Sequence, residues 1–181
     1  MPHLLVAGKL HPSGLDLLRS APVTFDYVEE ISEPSYQAHL LKADALVIRT
    51  QPLSAASIAK APGLKIVSRH GVGYDAVDVP ALNARGIPLC IVGDVNSSGV
   101  AEHAMMLILA ATHRLIAADR ATRGGDWGWR NGLQTHEVAG KRLLILGFGR
   151  IGRETARVLR PFGSRLLVHD PYVPPRTVRG A

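Results

Sequence analysis

At 181 residues, with 46% hydrophobic and 20% charged side chains, the chain is long enough to bury the core of one domain, or of one and a part. Its single cysteine, Cys90, excludes an intramolecular disulfide, a disulfide scaffold and a cysteine-built zinc cluster. The net charge of +6 is uneven, because residues 1–119 carry 9 Lys/Arg against 11 Asp/Glu whereas residues 120–181 carry 12 against 4. Few aromatics interleave with the later arginines, and Arg150, Arg153, Arg157 and Arg160 share one side of an amphipathic helix pattern, so they read as a solvated face rather than a nucleic-acid surface. The start, MPHLLVAGK, lacks a basic and long apolar leader, and the apolar run at 104–111 is too short to span a bilayer. The expectation is a soluble cytoplasmic protein with neither membrane nor nucleic acid as a partner.

In chain order, short apolar runs at 4–7, 23–28, 45–49, 65–68 and 88–92 alternate with helix patterns at 13–20, 32–42, 54–60 and 78–84. That rhythm predicts an α/β fold with a parallel sheet flanked by helices. Ser32 before Glu33-Pro34 and Asp78 before Val79-Pro80 each put a capping side chain ahead of a first-turn proline, whose missing N–H costs nothing there. Residues 97–118, "SSGVAEHAMMLILAATHRLIAA", read as one long apolar helix without an internal breaker, suited to a domain hinge. "RGGDWGWRNG" (123–132) reads as a glycine-rich loop carrying Trp127 and Trp129. A second α/β segment follows, with a strand at 142–146, a glycine turn, a helix at 151–162 and a strand at 165–169.

The glycine turn is Gly147-Phe148-Gly149-Arg150-Ile151-Gly152, placed after a strand, before a helix, and followed by a second strand that ends at Asp170. Alone, such a triplet is weak; in this context it reads as a dinucleotide grip. Gly147 permits the tight turn, Gly149 lets backbone approach a pyrophosphate, and Gly152 allows close packing of helix on strand. The N–H groups around Arg150 and Ile151 are placed to bind phosphate oxygens with help from the helix dipole. Asp170 lies 18 residues past Gly152, where its carboxylate accepts from ribose hydroxyls and repels a 2′-phosphate, favouring NAD over NADP.

Three stretches together resemble the D-isomer-specific 2-hydroxyacid dehydrogenases, the family that includes D-3-phosphoglycerate dehydrogenase. They are "KIVSRHGVGYDAVDVPALNARGIPL" (65–89), "NSSGVAEHAMMLILA" (96–110) and "HEVAGKRLLILGFGRIGRETARVLRPFGSRLLVHDPY" (136–172). The resemblance implies a flavodoxin-like substrate domain over residues 1–96 and the first β-α-β part of a Rossmann NAD-binding domain over residues 97–181. It implies that substrate and nicotinamide meet in a cleft between the two. On that mapping the N–H groups of Val72 and Gly73 bind the substrate carboxylate, and Val72 also approaches the coenzyme. Asn96 matches a position near the reacting carbon, and Val100 one that packs by the nicotinamide. From the residues themselves the 71–73 loop has a second reading, that it merely turns the chain. Arg49 either reaches the same cleft or snorkels to solvent. Gly99 stands where the family carries serine or threonine, which shifts helix capping to Ser97 or Ser98.

The resemblance also implies a catalytic arginine, glutamate and histidine, none of which matches a residue of this chain; His70, His103 and His169 receive no chemical role, and no metal set is expected. Reduction of a 2-oxo acid needs a proton donor oriented by a carboxylate opposite the hydride. A doubly wound nucleotide domain needs on the order of 150 residues, and residues 97–181 supply 85. The expectation is therefore an NAD-dependent oxidoreductase by ancestry, truncated and inactive alone, which would pair as a homodimer through coenzyme domains were the domain complete. The competing expectation is a non-catalytic NAD-binding or regulatory interaction module.

Overall fold

The computed structural model describes residues 1–179. The chain divides into two units, Met1–Gly93 and Asp94–Ala181.

In the first unit, short apolar runs pair as the strands of a sheet flanked by helices, and the inner strands at 3–7 and 45–48 are the most deeply buried. The strands are β1 (His3–Ala7), β2 (Thr24–Val28), β3 (Ala45–Ile48), β4 (Ile66–Arg69) and β5 (Leu89–Ile91). All neighbours are parallel, in the order β2-β1-β3-β4-β5, which is the flavodoxin-like order. Crossovers run through α1 (Pro12–Ser20), α2 (Glu33–Gln37), α3 (Ala55–Ala59) and α4 (Val79–Ala84). Leu5, Tyr36, Leu40, Leu46, Ile48, Val67 and Leu82 form the core; each such side chain contributes about 1.5–3 kcal/mol on burial.

Two helix starts behave differently. Asp78 caps α4, accepting from the Ala81 N–H at 2.9 Å. Ser32 does not cap α2. Its hydroxyl donates instead to Glu30 Oε1 at 2.7 Å, and Glu33 turns away to accept from Ser54. The expected helix at 32–42 is also tighter than the pattern suggested, passing into a 3₁₀ turn over Ala38–Lys42 with Tyr36, Leu40 and Ala43 all buried. A 3₁₀ turn closes the helix end with i→i+3 bonds, here Ala43 N–H to Leu40 C=O.

The second unit opens with α5 (Ser97–Thr112) and α6 (Leu115–Arg123), which correct the single long helix expected at 97–118: they bend by 58°. Arg114 adopts a left-handed conformation, φ +49°. The Thr112 hydroxyl donates back to the Ile108 carbonyl at 2.8 Å, and the Thr112 carbonyl accepts from the His136 N–H at 2.9 Å, so it does not serve a further helical turn. The expected caps are corrected too, since Asn96 is the N-cap of α5 and no side chain caps the helix there. Part of the "RGGDWGWRNG" loop is likewise structured: α6 runs through Arg123 and a 3₁₀ turn covers Trp127–Gly132. No single helix among the described residues is long and apolar enough to cross a membrane; the bent pair passes that test jointly.

The rest of this unit is β6 (Arg142–Leu146), α7 (Arg150–Leu159), β7 (Arg165–His169) and α8 (Pro175–Arg179). Strands β6 and β7 pair in parallel, Leu146 opposite His169, which brings both strand ends to one edge. On one face of this sheet Leu144, Leu146 and Leu167 are exposed, alternating with half-buried residues as the period of two requires.

Candidate functional site

The glycine turn leaves β6 with Gly147 at φ +90°, a conformation that glycine adopts without strain. The Gly147 N–H donates to the His169 carbonyl at 2.8 Å, tying the turn to the end of β7. Phe148 is buried. Gly149 is the N-cap of α7, and a Cβ placed on it would meet nothing within 4 Å. The space in front of it is open, as a backbone that receives a phosphate requires. Arg150 and Ile151 are exposed in the first turn of α7, where helix geometry leaves the N–H groups without partners inside the helix.

Asp170 follows β7 directly, so the parallel register carries its carboxylate to the turn. Its Oδ2 accepts from the Phe148 N–H at 2.6 Å, and its Oδ1 from Tyr172 and Val173 N–H at 2.8 and 3.1 Å. The Phe148 N–H, ahead of that of Tyr172, holds this carboxyl below the ordinary aspartate range. A carboxylate offers about four lone-pair sites, and three are filled from backbone. One remains on Oδ2 for a hydroxyl. The bracing of the loop by Asp170 was not foreseen from its spacing.

In the same unit Asn96 and Val100 lie at the start of α5, and the Val100 N–H donates to the Asn96 carbonyl at 3.0 Å. A cavity of about 190 Å³ lies between the starts of α5 and α7, lined by Asp94, Val95, Ser97, Ser98, Arg150 and Glu154.

In the first unit Val72 and Gly73 sit in the loop after β4, half-buried and exposed respectively. Gly71 is fastened on both sides, its N–H to the Arg69 carbonyl at 2.8 Å and its carbonyl to the Val92 N–H at 3.3 Å. Among the described residues neither the Val72 nor the Gly73 N–H has an acceptor. Two amides are therefore presented at the carboxyl edge of a parallel sheet, the place where such folds take ligands.

Arg49, just past β3, is exposed and donates to the Lys9 carbonyl at 3.3 Å. Arg69, at the end of the adjacent strand, reaches the Ile48 and His70 carbonyls at 3.5 and 3.3 Å, and its Nε is buried without a hydrogen-bond partner. Burial first, and the nearby positive charge of Arg49 second, push the Arg69 guanidinium below its ordinary value. No carboxylate pairs with either arginine among the described residues. Two neighbouring cations without a counterion make this edge receptive to an anion. Arg69 was not singled out as a site residue from sequence; its place in Arg69-x-Gly71-x-Gly73 was the available signal.

His70 and His103 make no side-chain hydrogen bond among the described residues, and no group of His, Cys, Asp and Glu there is able to hold a metal ion.

The model of the D-isomer specific 2-hydroxyacid dehydrogenase catalytic domain matches residues 4–160. The D-3-phosphoglycerate dehydrogenase of Mycobacterium tuberculosis is 38% identical over 176 residues, covering 97% of this chain and 33% of that protein. A glyoxylate reductase of Thermococcus gammatolerans is 35% identical over 179 residues, covering 93% of this chain and 53% of the relative. Among solved structures, a 2-hydroxyacid dehydrogenase from Ketogulonicigenium vulgare aligns with a TM-score of 0.78 at 31% identity, over 97% of this chain and 56% of that one. An NAD-dependent formate dehydrogenase from Staphylococcus aureus in complex with NAD aligns with a TM-score of 0.83 at 28% identity, over 94% of this chain and 56% of that one. The chain thus spans about a third of the length of the curated phosphoglycerate dehydrogenase.

Proposed function

Because the chain belongs to the D-isomer specific 2-hydroxyacid dehydrogenase family, we propose that it binds NAD through residues 97–181 and a small 2-hydroxy or 2-oxo acid through residues 1–96. The observation that carries this reading is the loop from Gly147 to Gly149, open in front of Gly149, braced by Asp170 and leading into α7. The amides of Gly149, Arg150 and Ile151 hold the pyrophosphate. The remaining lone pair of Asp170 takes an adenosine ribose hydroxyl, and its charge disfavours a 2′-phosphate. Bound NAD supplies the hydride acceptor for a hydroxyl-bearing carbon, or as NADH the donor to a carbonyl.

On the acid side, the unpartnered Val72 and Gly73 amides receive the substrate carboxylate, with Arg49 and Arg69 providing positive charge. Asn96 serves near the reacting carbon and Val100 against the nicotinamide. No proton carrier is assigned to residues 1–181, and a polypeptide of these residues is proposed to lack turnover by itself. Pairing of two copies belongs to the same reading, supported by exposed Leu115, Ile116 and Trp127. So does a cytoplasmic setting, supported by the exposed free thiol of Cys90.

The test is calorimetric titration with NAD and NADP. NAD binds more tightly than NADP, Asp170→Ala weakens NAD by loss of the ribose bond, and Gly149→Val weakens it by filling the space before the phosphate. Variants that bind NAD as the parent does would sink the assignment.

A further inference from the structure

Phe148 stands between the two glycines of the turn, and both of its backbone polar groups are taken by side chains. Its N–H donates to Asp170 at 2.6 Å. Its carbonyl accepts from Arg153 Nε at 3.0 Å. The Arg153 guanidinium lies over the Phe148 ring, 5.8 Å from the centroid, within the range of a cation–π contact, and the Arg153 N–H donates to the Gly149 carbonyl at 3.1 Å. One residue of α7 thus holds two successive carbonyls of the turn. Arg153 is exposed, as its helical position predicts, yet its side chain reaches back along the helix toward the N-terminus.

The Phe148 carbonyl and the Gly149 N–H belong to one planar trans peptide and point in opposite directions. Fixing the carbonyl toward Arg153 therefore fixes the N–H toward the other side. Turning this peptide over rotates ψ of Phe148 and φ of Gly149, and on the glycine side that costs little, since nothing crowds Gly149. The turn has conformational freedom, and an arginine withdraws it.

We infer that Arg153 is a positioning residue for dinucleotide binding: its side chain locks the Phe148–Gly149 peptide so that the Gly149 N–H faces the pyrophosphate. This rests on the NAD reading above, and it assigns Arg153 no contact with the ligand.

The test uses the 181-residue chain, titrated by NMR with ADP-ribose, which carries the pyrophosphate, and with adenosine, which does not. Arg153→Gln keeps an N–H donor at the same bond count from Cα as Nε, whereas Arg153→Met puts a methyl group there. Arg153→Met is expected to bind ADP-ribose about tenfold more weakly, as loss of one charge-assisted hydrogen bond implies, with adenosine affinity and melting temperature unchanged. Arg153→Gln is expected to recover most of the loss. Parent-like ADP-ribose binding by Arg153→Met overturns the inference. Equal loss for Met and Gln overturns it too, because that marks direct action of the charge, and parallel loss of adenosine marks a general structural role. Should Arg153→Met not fold, Arg153→Lys replaces it, since Nζ lies one bond beyond the Nε position and keeps charge without the bond; ADP-ribose must again weaken while adenosine holds. A parent that binds neither ligand removes the nucleotide reading itself, and this inference with it.

Discussion

Gly152 lies so close beneath the Gly147 carbonyl that a Cβ built on it would overlap the oxygen. The obstacle is backbone, which no rotamer change relieves. Gly149, three residues earlier, has open space at the same position. The two glycines therefore fail differently. Gly152→Ala is expected to cost stability, on the order of 3 kcal/mol as overpacking does, and NAD binding with it. Gly149→Ala is expected to keep the urea midpoint near the parent's while weakening NAD. Loss of stability in both, or in neither, contradicts the packing argument.

A second expectation concerns Asp170, whose carboxyl the Phe148 and Tyr172 amides hold below the aspartate range. A depressed carboxylate stays ionised until the pH has fallen through its lowered value. NAD affinity attributable to Asp170 should then be flat down through pH 5 and decline only below the ordinary aspartate value of about 3.9. Asp170→Asn should narrow the preference for NAD over NADP, because the charge facing a 2′-phosphate is gone. Calorimetry with both dinucleotides at several pH values measures both effects. An unchanged preference in the variant contradicts the assigned role.

How far the sequence foretold this depends on what kind of signal each feature leaves. Strands 142–146 and 165–169 matched residue for residue, because glycines and an aspartate bound their apolar runs. The bend at Arg114 left no signal, since neither glycine nor proline marks it and a tertiary bond to the Thr112 carbonyl accompanies it. Periodicity puts Arg153 on the outer face, and the residue is exposed. Periodicity does not register where a long side chain ends. Arg69 falls just past the apolar run at 65–68, and nothing in the sequence sets it beside Arg49 until β3 and β4 pair.

The pair Arg49 and Arg69 makes a third expectation. With no carboxylate between them among the described residues, the edge after β3 and β4 should bind a 2-oxo acid anion with an affinity that falls as salt rises. Arg69→Met should weaken binding about tenfold, the effect of losing one hydrogen bond to a charged group, and flatten the salt dependence. NMR shifts of the Val72 and Gly73 amides on titration with pyruvate report it. Shifts elsewhere, with these amides silent, contradict the site.

Acid stability supplies a fourth. Asp26, on the edge strand β2, accepts from Lys42 at 2.9 Å and His39 at 2.6 Å, with His3 at 3.4 Å. The Lys42 bond, against the opposing effect of burial and with help from His39 and His3, holds Asp26 well below the carboxylate range. The stability this supplies is complete above the unfolded aspartate value, about 3.9, and is lost as the pH falls through the folded value. Asp26→Asn should melt below the parent at pH 7, and the gap should close as the pH falls below about 4. A gap constant with pH means that the cluster acts through shape alone.

The last expectation is that the 181-residue polypeptide, given NADH and a range of 2-oxo acids, shows no turnover. Binding by the phosphate turn and by the Val72–Gly73 amides orders two ligands but moves no proton. A general acid must stand within hydrogen-bond reach of the carbonyl oxygen, oriented by a partner that keeps the right nitrogen protonated. The histidines with a carboxylate partner among the described residues are His3 and His39, both on Asp26 in the middle of β2. That places them away from the carboxyl edge where the 71–73 loop lies. His70 is in that loop but makes no side-chain hydrogen bond, so nothing orients its ring. Acid–base assistance alone is worth about 10²- to 10⁴-fold, and a cation on the developing oxyanion adds a comparable factor; without the oriented acid the rate should lie below detection. The measurement is loss of reduced-nicotinamide absorbance with the purified chain. Clear turnover, abolished by His70→Gln or His103→Gln, would make that histidine the acid and overturn this reading.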